Sequence, residues 1–572
     1  MNVYASIIPF CAYATILAMK DLSTLHPITA ILLTNRGIVD PEAQLRFLAP
    51  DYERDSSDPF LILNMERAVD RIFAAMEANE EIILYGDYDC DGIPGSVILH
   101  DLFKKIGYTH FRNYIPHRHH EGYGLNTAAI DQFAKDGVAL IITIDCGITD
   151  VDEVAHANTL GIDVIITDHH LPQPILPPAY AVINSKQEED TYPDDMLCGA
   201  GVAFKLAQAI LARGKFAHIP AGWEKWLLDM AGLSTIADMV PLQKENRMLA
   251  YYGLKVLRKS PRPGLRALLR DAGANQSFLT EEDVGFTIGP RINAASRMDV
   301  PMRAFELLAT NDSAVGSERA RCLSALNDER KSEVARMVKE AKHVLRNREL
   351  REVIVIGNPA WRVGVVGIVA NQVAEEFDRP TFVWGKEGTP HIKGSCRSDG
   401  RVNLVELMLG VPDGVFIDRG GHEFSGGFSV SAEGIHRLED ELVRAHRTLP
   451  KKEKPAQTYV VDTELTLREV NDVVYDAVAL LAPYGVGNAR PHFLFKHVRI
   501  REVRMFGKKK EHLKLFLEDA SGGRAEAIGF FMQPERFGAT VAEGETINLV
   551  AIMERSHFMG RPELRLRIVD IS

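Results

Sequence analysis

Three short apolar runs, each followed by acidic or imidazole side chains, constrain the fold of this chain more than any other feature. EIILYG (81–86) leads into GDYDCDG, LIITI (140–144) leads into Asp145, and DVIIT (163–167) leads into Asp168 and two histidines. Such runs predict strands of a parallel sheet, whose carboxyl ends meet at one edge where α/β folds bind their ligands. The sequence therefore predicts an open sheet with a polar site along that edge.

Helical segments separate these strands. Further strands are predicted in HFRNYIP and AYAVIN, and helices are predicted at Val97 to Lys105, Thr127 to Lys135, Val151 to Leu160, Gly199 to Arg213 and Trp223 to Val240. The alternation of strand and helix predicts a doubly wound parallel sheet between about Ile82 and Val240.

The remainder of the chain predicts further domains. A long charged helix is expected at 312–347, where apolar residues recur at helical spacing, and a second α/β unit begins at REVIVIG. A Pro- and Lys-rich linker at 449–457 precedes alternating segments that are typical of a small β-barrel. The predicted organisation is an extension at 1–60, an α/β domain at 61–311, the helix at 312–347, an α/β domain at 348–448 and a barrel domain at 449–572.

Charge and cysteine usage exclude some classes of protein. The net charge of −12 disfavours a protein coated uniformly in nucleic acid, although charge is asymmetric and the C-terminal end is the more basic. Six scattered cysteines with no CxxC pair predict neither a disulfide framework nor a zinc knuckle, which fits a reducing cytoplasm. The apolar segment 3–19 lacks a preceding basic region and is shorter than the roughly 20 residues of a spanning helix, so we expect a buried or poorly ordered extension.

The acidic residues behind the strands predict a metal centre. Asp87 and Asp89 are two residues apart on an extended segment and so face the same way, whereas Asp91 either joins them or caps the helix that begins at Gly92. Crowded carboxylates repel one another unless cations lie between them, and two divalent ions neutralise about four carboxylates. The candidate ligands are Asp87, Asp89, Asp145, Asp238 and His169. Oxygen-rich ligation with one imidazole favours Mn²⁺ or Mg²⁺ over zinc.

Each of these elements also has a simpler interpretation. A DxDxD run is often a solvated turn or a calcium loop, but an EF-hand would need a glutamate where Ile98 stands. Asp238 is equally compatible with an acid on a helix surface. The combination at three strand ends favours the metal centre.

Several ordered motifs resemble a known superfamily. GDYDCDG, TIDCGI, TDHH and STIADMVPLQKENR resemble the four motifs of the DHH phosphoesterases. PHRHHEGYGLN, LCGAGVAFK, GPRINAASRM, WRVGVVGIVA, GSCRSDG and GGHEFSGG are similar to its RecJ single-strand exonuclease branch, in order from about His26 to the C-terminus. The resemblance implies a DHH catalytic domain, a DHH-associated nucleic-acid-binding domain and an OB-like single-strand-binding domain in the three predicted domains.

The resemblance also implies roles for residues. It implies metal ligation by Asp87, Asp89, Asp145, His169 and Asp238, and it implies that His170 lies beside the scissile phosphate. With His170, we count Asp91 and Arg297 as catalytic residues. An imidazole that is not saturated by metal can donate to developing phosphorane charge or protonate the leaving oxygen.

Further residues are candidates for holding the substrate. The guanidinium forks of Arg297 and Arg247 suit phosphate oxygens, with a structural salt bridge as the alternative for each. In the second α/β domain, glycines let backbone N–H groups approach phosphate closely. Resemblance to the DHH-associated domain implies a clamp for a nucleotide or 5′-phosphate, formed by Ser395, Arg397, Gly420, Gly421 and His422.

A basic run between Phe493 and Lys510 predicts a strand-binding surface. Its cations are Lys496, Arg499, Arg501, Arg504, Lys508, Lys509 and Lys510, interleaved with Phe493, Phe495 and Phe506. Cations that follow a phosphate backbone beside rings that stack on bases are typical of OB-folds that bind single strands. The alternative is a solvated edge strand followed by a lysine-rich hairpin.

The resemblance implies a metal-dependent 5′→3′ exonuclease that digests single-stranded DNA to 5′-mononucleotides in recombination and repair. Single-stranded DNA is the expected partner, a single-strand-binding protein and a helicase are candidate partners, and no membrane is expected. One alternative is a DHH phosphodiesterase of short oligonucleotides or cyclic dinucleotides, which would not need the basic barrel. Another is a non-catalytic replication scaffold, a class that loses metal ligands. Tyr85, Ser296 and Arg362 depart from the family pattern at positions that could tune nucleotide contacts.

Overall fold

The computed structural model describes residues 22–387, 391–453, 459–556 and 562–572. Two compact units form this part of the chain. One unit contains the chain up to Ser57, Met239–Tyr252 and the segment from 457 onward, and the other contains Asp58–Asp238 and Gly253–Ala456. The apolar segment 3–19 and the linker residues 454–457 lie outside the described residues.

The larger unit contains a five-stranded parallel sheet. Its strands are β1 (Glu81–Gly86), β2 (Phe111–Tyr114), β3 (Val138–Ile144), β4 (Asp163–Thr167) and β5 (Ala181–Ile183), in the order β2-β1-β3-β4-β5. Helices on both faces bury the isoleucine-rich central strands, as parallel sheets require. This arrangement confirms the predicted doubly wound sheet.

We call the first sheet and its helices the first lobe, and the second sheet and its helices, described below, the second lobe. The helices of the first lobe differ in detail from the sequence prediction. They are Met65–Glu77, Gly92–Ile106, Thr127–Lys135, Val151–Thr159, Gly199–Gly214 and Leu228–Ala237, followed by Pro263–Asp271, Glu281–Asp283, Gly289–Met298 and Met302–Ala309. The helix predicted at Trp223 to Val240 is instead a 3₁₀ turn, Trp223–Leu227, followed by Leu228–Ala237. After the helix Leu228–Ala237 ends, Met239 adopts a left-handed conformation with φ 61°.

A connecting helix, Ser313–Arg346, begins at the cap residue Asp312, whose carboxylate accepts hydrogen bonds from the backbone N–H groups of Ala314 and Val315. A second sheet follows it. Its strands are β6 (Ile354–Gly357), β7 (Thr381–Gly385), β8 (Ile392–Arg397), β9 (Phe416–Gly421) and β10 (Ser425–Val430), in the order β6-β7-β8-β10-β9. Only the β6–β7 pair is parallel. Its helices are Val363–Phe377, Leu404–Leu409 and Gly434–Thr448.

The smaller unit contains the predicted β-barrel. Its strands are β11 (Thr463–Glu464), β12 (Phe493–Phe506), β13 (His512–Glu518), β14 (Arg524–Gly529), β15 (Thr546–Ser556) and β16 (Glu563–Ile571). The order is β11-β12-β13-β14-β16-β15, and pairing of β12 with β15 closes the barrel. The helices of this unit are Pro27–Asn35, Pro41–Leu48, Tyr52–Asp55, Lys244–Leu257 and Asp472–Ala479, of which Lys244–Leu257 continues into the larger unit.

Segments distant in sequence complete the barrel unit. Ile28, Leu32 and Leu33 share one apolar core with barrel residues, so the described part of the predicted extension is packed structure. The Arg247 guanidinium is buried and donates to the backbone carbonyls of Phe47, Leu481, Ala482 and Pro483. These contacts favour the structural alternative for Arg247 over phosphate binding, with backbone carbonyls in place of the expected salt bridge.

Two smaller expectations concern the membrane and the thiols. Within the described residues, none of the helices combines the length and apolarity needed to cross a bilayer. The five cysteines in the described part of the chain are free thiols.

Candidate metal centre and phosphate site

The register of the first sheet brings the predicted acidic residues together. Gly86 of β1 pairs with Ile144 of β3, and Ile144 pairs with Thr167 of β4, so the three strands end side by side. The ladder continues one residue further, because the N–H of Asp87 donates to the Ile144 carbonyl and that of Asp145 donates to the Thr167 carbonyl. The residues behind the three strands therefore begin at the same level of one sheet edge.

The side chains at this edge form three groups that could hold cations. Within each group the candidate ligand atoms lie within 4.8 Å of one another, and the groups are Asp87, Asp89 and Asp145; Asp91, His169 and Asp238; and Asp145, His169 and His170. All five residues predicted as ligands are present in these groups. Asp145 and His169 each belong to two groups, which is the arrangement expected where neighbouring cations share ligands.

Asp89, rather than Asp91, caps the helix that begins at Gly92, and both residues belong to candidate ligand groups. The Asp89 carboxylate accepts hydrogen bonds from the N–H groups of Asp91 (2.8 Å) and Gly92 (3.2 Å) at the start of the helix Gly92–Ile106. Asp91 makes no capping hydrogen bond there. Instead it accepts from the N–H groups of Gly199 (2.6 Å) and Ala200 (2.8 Å), so a second helix N-terminus stabilises its charge.

Glycines allow the backbone segments to approach this closely. A Cβ atom at Gly199 would lie 2.5 Å from the Asp145 Cβ, and one at Gly92 would lie 2.5 Å from the Asp87 carbonyl oxygen. Asp145 itself has φ 64°, a left-handed conformation that aspartate adopts more readily than bulky residues. The site therefore depends on backbone geometry as well as on carboxylates.

Among the described residues, no lysine or arginine forms an ion pair with these carboxylates. Burial and neighbouring carboxylates raise the pKa values of Asp87 and Asp145 well above the ordinary range, and they raise the pKa of Asp238 to about 8. Among the described residues, the ion pairs of Asp91, Asp145 and Asp238 involve only the two histidines. Buried oxygens Oδ1 of Asp87 and Oδ1 of Asp145 have no hydrogen-bond partner there. This donor set fits divalent cations, which would supply the missing positive charge.

His169 has the geometry of a metal ligand. Its Nε2 lies 3.2 Å from Asp145 Oδ1, 3.6 Å from Asp91 Oδ2 and 3.7 Å from Asp238 Oδ2. Burial lowers the pKa of the His169 imidazole, and a neutral imidazole is the form that binds metal.

His170 has a different environment. Its Nδ1 lies 2.8 Å from the buried Asp168 carboxylate, which also accepts hydrogen bonds from the N–H groups of Ile148, His169 and His170. Burial opposes protonation, but the hydrogen bond with Asp168 outweighs it and raises the pKa of His170 to about 8. The ring is thereby oriented by Asp168 through Nδ1.

Sequence reasoning missed three contributors to this centre. Tyr123 donates its hydroxyl to the Asp145 carbonyl (3.1 Å), and the same hydroxyl lies 3.1 Å from His170 Nδ1. Asp168 orients His170, and Gly199 presents its N–H to Asp91. The motifs EGYG and LCGAG contain Tyr123 and Gly199, but no feature of the sequence alone placed either residue beside the aspartates.

Four arginines lie together close to the candidate metal ligands. None of the four has an acidic partner among the described residues. Arg118 lies 4.8 Å above the Tyr88 ring, Arg297 donates to the Gly364 carbonyl (3.2 Å), Arg330 contacts the Asn327 side chain, and Arg397 donates to the Cys396 carbonyl. Burial, followed by repulsion from Arg118, Arg330 and Arg397, lowers the pKa of Arg297 to about 9. Such a cluster is typical of an anion site.

Two of these arginines, Arg297 and Arg330, line a cavity of about 180 Å³. Its lining includes Ala237, Asn293 and Arg297 of the first lobe, Arg330 of the connecting helix and Ile368 of the second lobe. One lining residue, Ala237, directly precedes the candidate metal ligand Asp238 in the chain.

The predicted clamp of the second lobe forms one corner of its sheet. Strand β10 lies between the other two strands, with Gly427 opposite both Ser395 and Gly420, and with Gly426 opposite Gly421. Gly367 lies in the helix Val363–Phe377. A Cβ on Gly367 would lie 3.3 Å from Arg397 Nη2 and 3.4 Å from Ser395 Oγ, so this helix packs directly over the two side chains. The His422 N–H donates to the Ser425 carbonyl and closes the β9–β10 turn. The phosphate role of these residues stays a prediction.

Three of the seven cations predicted on the barrel have acidic partners. Lys496 pairs with Glu464 (2.7 Å), Arg501 with Glu518 (3.2 Å) and Arg504 with Glu502 (2.6 Å). These three cations and Arg499 all lie on β12.

Two rings predicted to stack on bases cannot do so. Phe493 and Phe495 are fully buried in the barrel core, because alternate residues of β12 face inward. The sequence run could not distinguish the two faces.

The three departures from the family pattern have structural explanations. The buried Tyr85 hydroxyl donates to the Gly124 carbonyl (2.8 Å), and Ser296 Oγ donates to the Asn293 carbonyl (3.2 Å). Arg362 pairs with Glu329 (2.7 Å) and Glu387 (3.1 Å). These partners are within the protein, so none of the three residues requires a nucleotide contact.

Family models match all three predicted domains. The DHH family N-terminal domain matches residues 81–235, the DHHA1 domain matches 331–447, and the RecJ OB domain matches 461–570. Over 552 residues the chain is 37% identical to the single-stranded-DNA-specific exonuclease RecJ of Bacillus subtilis, covering 95% of this chain and 68% of that protein. It is 33% identical over 481 residues to the Escherichia coli protein of the same name, covering 80% of this chain and 82% of that protein.

Solved structures agree with these matches. RecJ from Thermus thermophilus in complex with Mn²⁺ superposes with a TM-score of 0.78 at 26% identity, covering 99% of this chain and 78% of that chain. An exonuclease RecJ bound to manganese superposes with a TM-score of 0.60 at 30% identity, covering 68% of this chain and 96% of that chain. With this similarity along most of its length, the chain belongs to the RecJ family of DHH phosphoesterases.

Proposed function

We propose that this protein is a metal-dependent exonuclease that digests single-stranded DNA from the 5′ end and releases 5′-mononucleotides. The observation that carries the proposal is the continuity of two complementary sites. The crowded carboxylates lie close to the arginines, since Arg118 lowers the pKa of Asp87 and Asp89 raises that of Arg297, yet among the described residues no arginine forms an ion pair with the candidate ligands. A phosphodiester substrate with divalent cations satisfies both.

The carboxylate cluster would hold two divalent ions, manganese or magnesium. Asp87, Asp89 and Asp145 would hold one, and Asp91, His169 and Asp238 would hold the other, with Asp145 close enough to His169 to contribute to both. When bound, such ions lower the pKa of water and neutralise charge on the leaving oxygen. In this proposal Asp91 is a metal ligand. The sequence alone had led us to count it among the catalytic residues.

His170 is assigned to the phosphate. Its Nδ1 faces Asp168 and Tyr123, so its Nε2 is the ring nitrogen available to substrate. A protonated ring held in this orientation donates a hydrogen bond to a phosphate oxygen as negative charge develops. Asp168 and Tyr123 are positioning residues for this ring.

The arginine cluster explains how an end of the strand is selected. Arg118, Arg297 and Arg397 favour a group with more negative charge than an internal phosphodiester, and a terminal 5′-phosphate is such a group. Ser395, Gly420 and Gly421 would add a hydroxyl and close backbone approach. A 5′-phosphate held beside the metal centre places a bond near the 5′ end over the carboxylates, which accounts for the polarity and for mononucleotide products.

The test is digestion of single-stranded DNA and RNA, labelled at the 5′ or the 3′ end, with Mn²⁺ or Mg²⁺. We expect mononucleotides from the 5′ label at the earliest time points and progressive shortening of the 3′-labelled strand. The matched control is Asp145→Asn, which keeps the shape of the side chain and removes a charge. Hydrolysis only of di- and trinucleotides would instead favour the short-oligonucleotide phosphodiesterase, and no hydrolysis with either metal would contradict the proposal.

We place this activity in DNA recombination and repair in the cytoplasm. A single-strand-binding protein and a helicase are the candidate partners, because a single-strand exonuclease requires strands that have been separated. Co-purification with either protein, reduced by substitutions on the surface of this chain, is the measurement that checks the assignment.

A further inference from the structure

The carbonyl group of Arg297 lies at a helix end where the helix itself offers no hydrogen-bond donor. The helix Gly289–Met298 ends one residue later, and the residue four positions after Arg297 is Pro301, which has no N–H group. His119 supplies the missing donor, because its Nε2 lies 3.2 Å from the Arg297 carbonyl oxygen. A carbonyl oxygen only accepts hydrogen bonds, so Nε2 is the ring nitrogen that carries the hydrogen.

The guanidinium of the same arginine is held by the second lobe. Arg297 Nη1 donates to the Gly364 carbonyl oxygen (3.2 Å) at the start of the helix Val363–Phe377. A Cβ atom on Gly364 would lie 2.7 Å from His119 Cε1 and would overlap the Arg297 carbonyl oxygen, so the three residues meet at one point. Arg297 is thus held at both ends, at its backbone by His119 and at its guanidinium by Gly364.

The imidazole of His119 is a neutral donor. Burial lowers the pKa of His119 to about 4, and the charge of Arg118 also lowers it. The ring is therefore uncharged at neutral pH and adds no repulsion to the arginine cluster, which a lysine in its place would do. The backbone N–H of His119 donates to His117 Nδ1 (3.2 Å), so the turn that carries the ring is itself closed.

The loop that carries this imidazole also contacts the other residue assigned to phosphate. In the segment 117–126, the Tyr123 hydroxyl oxygen lies 3.1 Å from His170 Nδ1. The Glu121 carboxylate closes the segment, because it accepts from the backbone N–H of the first residue (2.6 Å) and from the side-chain amide of the last (3.1 Å). One compact loop therefore joins the backbone of Arg297 to the ring of His170.

We propose that His119 is a positioning residue that sets the preference of the enzyme for a strand with a 5′-phosphate. By holding the backbone of Arg297 while Gly364 holds one N–H of its guanidinium, His119 directs the remaining N–H groups toward a terminal phosphate. Without this hydrogen bond the helix end can shift, and a displacement of about 1 Å is enough to weaken a contact that depends on geometry. The inference rests on the proposed nuclease function and names a residue that determines its end specificity.

The experiment compares hydrolysis, in Mn²⁺, of one single-stranded DNA prepared with a 5′-phosphate or with a 5′-hydroxyl. His119→Phe keeps a ring and removes the donor, so KM for the phosphorylated strand should rise about tenfold, while its kcat and both constants for the hydroxyl strand stay within about twofold. His119→Gln places an amide N–H near the position of Nε2 and should keep the preference of the parent protein. His120→Phe, at the exposed neighbouring histidine, is the matched control and should also keep it.

The same measurements can overturn the proposal in three ways. His119→Phe might retain the full preference of the parent, which would mean that the hydrogen bond is dispensable. Equal losses for the two strands are what a purely structural role would produce. A loss in His119→Gln as large as that in His119→Phe would show that the donor is not what matters.

A double-mutant cycle tests whether His119 acts through Arg297. In an Arg297→Gln protein the preference for the phosphorylated strand should already be lost, and adding His119→Phe should lower it no further. Additive losses would show that His119 acts on another group and would contradict the proposal.

Binding of thymidine 5′-monophosphate in a chelator, measured by calorimetry, makes the comparison without hydrolysis. We expect the affinity of His119→Phe to be about tenfold weaker than that of the parent, and equal affinities would contradict the proposal. A parent protein that hydrolyses neither strand with Mn²⁺ or Mg²⁺ contradicts the nuclease function. A parent that prefers the phosphorylated strand, beside a His119→Phe variant with the same preference, contradicts only the role of His119.

Discussion

At the scale of single residues, the candidate metal centre holds carboxylates close together although they repel one another. Asp87, Asp91 and Asp145 are buried and near one another, and burial together with their mutual repulsion raises their pKa values. Such crowding costs stability in the metal-free protein, and it is relieved when cations bind.

Asp145→Asn should therefore change stability and activity in opposite directions. Removing one charge from the cluster should raise the thermal midpoint of the metal-free protein, while hydrolysis and the Mn²⁺-induced rise of that midpoint should both be lost. A midpoint that still rises with Mn²⁺ as it does in the parent would contradict the ligand assignment. Asp136→Asn is the control, because Asp136 is a surface residue that pairs with Arg112.

Two phenylalanines of the barrel domain should behave differently. Phe495→Ala empties a buried position and should lower the free energy of unfolding by about 3 to 5 kcal/mol. Phe531→Ala should change it by less than about 0.5 kcal/mol, because the ring is mostly exposed. Urea unfolding of both variants measures this contrast, and equal destabilisation would mean that Phe531 is packed.

At the scale of elements, the helix Gly199–Gly214 contributes its N-terminus to the centre. Its first N–H groups hold Asp91, and its first residue lies against Asp145. This contact explains why the helix begins with a glycine, since any Cβ there would overlap Asp145.

Gly199→Ala should consequently act as a site mutation. The added Cβ should displace Asp145, lower the rate of hydrolysis by about 100-fold and destabilise the fold by about 1 to 3 kcal/mol. Gly538→Ala, where an added Cβ meets nothing within 4 Å, is the control and should preserve activity. Full activity of the Gly199 variant would show that the helix can shift without loss of ligand geometry.

At the scale of the whole molecule, each of the two compact units combines segments that are not consecutive in the sequence. Apolar residues of the helix Pro27–Asn35 share a core with the barrel, and the Met239–Tyr252 segment supplies Arg247 to carbonyls near Leu481. The barrel unit is therefore built from three separate parts of the chain.

Ending the chain at residue 453 should leave Ile28, Leu32 and Leu33 without their apolar partners. We expect a poorly soluble protein that binds the dye ANS, because exposed core surface is what this dye reports. The full chain is the reference. A soluble truncated chain without dye binding would show that the N-terminal helices find another core.

Strand binding should depend on salt even though the whole molecule is acidic. The net charge is −12, but cations that form no ion pair among the described residues cluster at Arg118, Arg297 and Arg397 and at Lys508 to Lys510. Affinity for single-stranded DNA in a chelator should fall as salt rises, by counterion release. Affinity independent of salt would mean that contacts with bases alone hold the strand.

The sequence by itself determined the alternation of strands and helices, the barrel and the identity of the candidate metal ligands. These follow from local signals, since apolar runs, strand ends and ordered motifs are contained in consecutive residues. Asp87, Asp145 and His169 could be named before the fold was known because each stands close behind a strand.

Only the tertiary structure decided which residues meet across the chain. It brought Gly199 to Asp91, Tyr123 to His170 and Arg330 toward Arg297, and it turned Arg247 toward backbone carbonyls. It also decided which side of β12 is buried, and it exposed Phe531. The physical reason is that contacts and burial depend on packing between distant segments, whereas spacing along the chain fixes only local geometry.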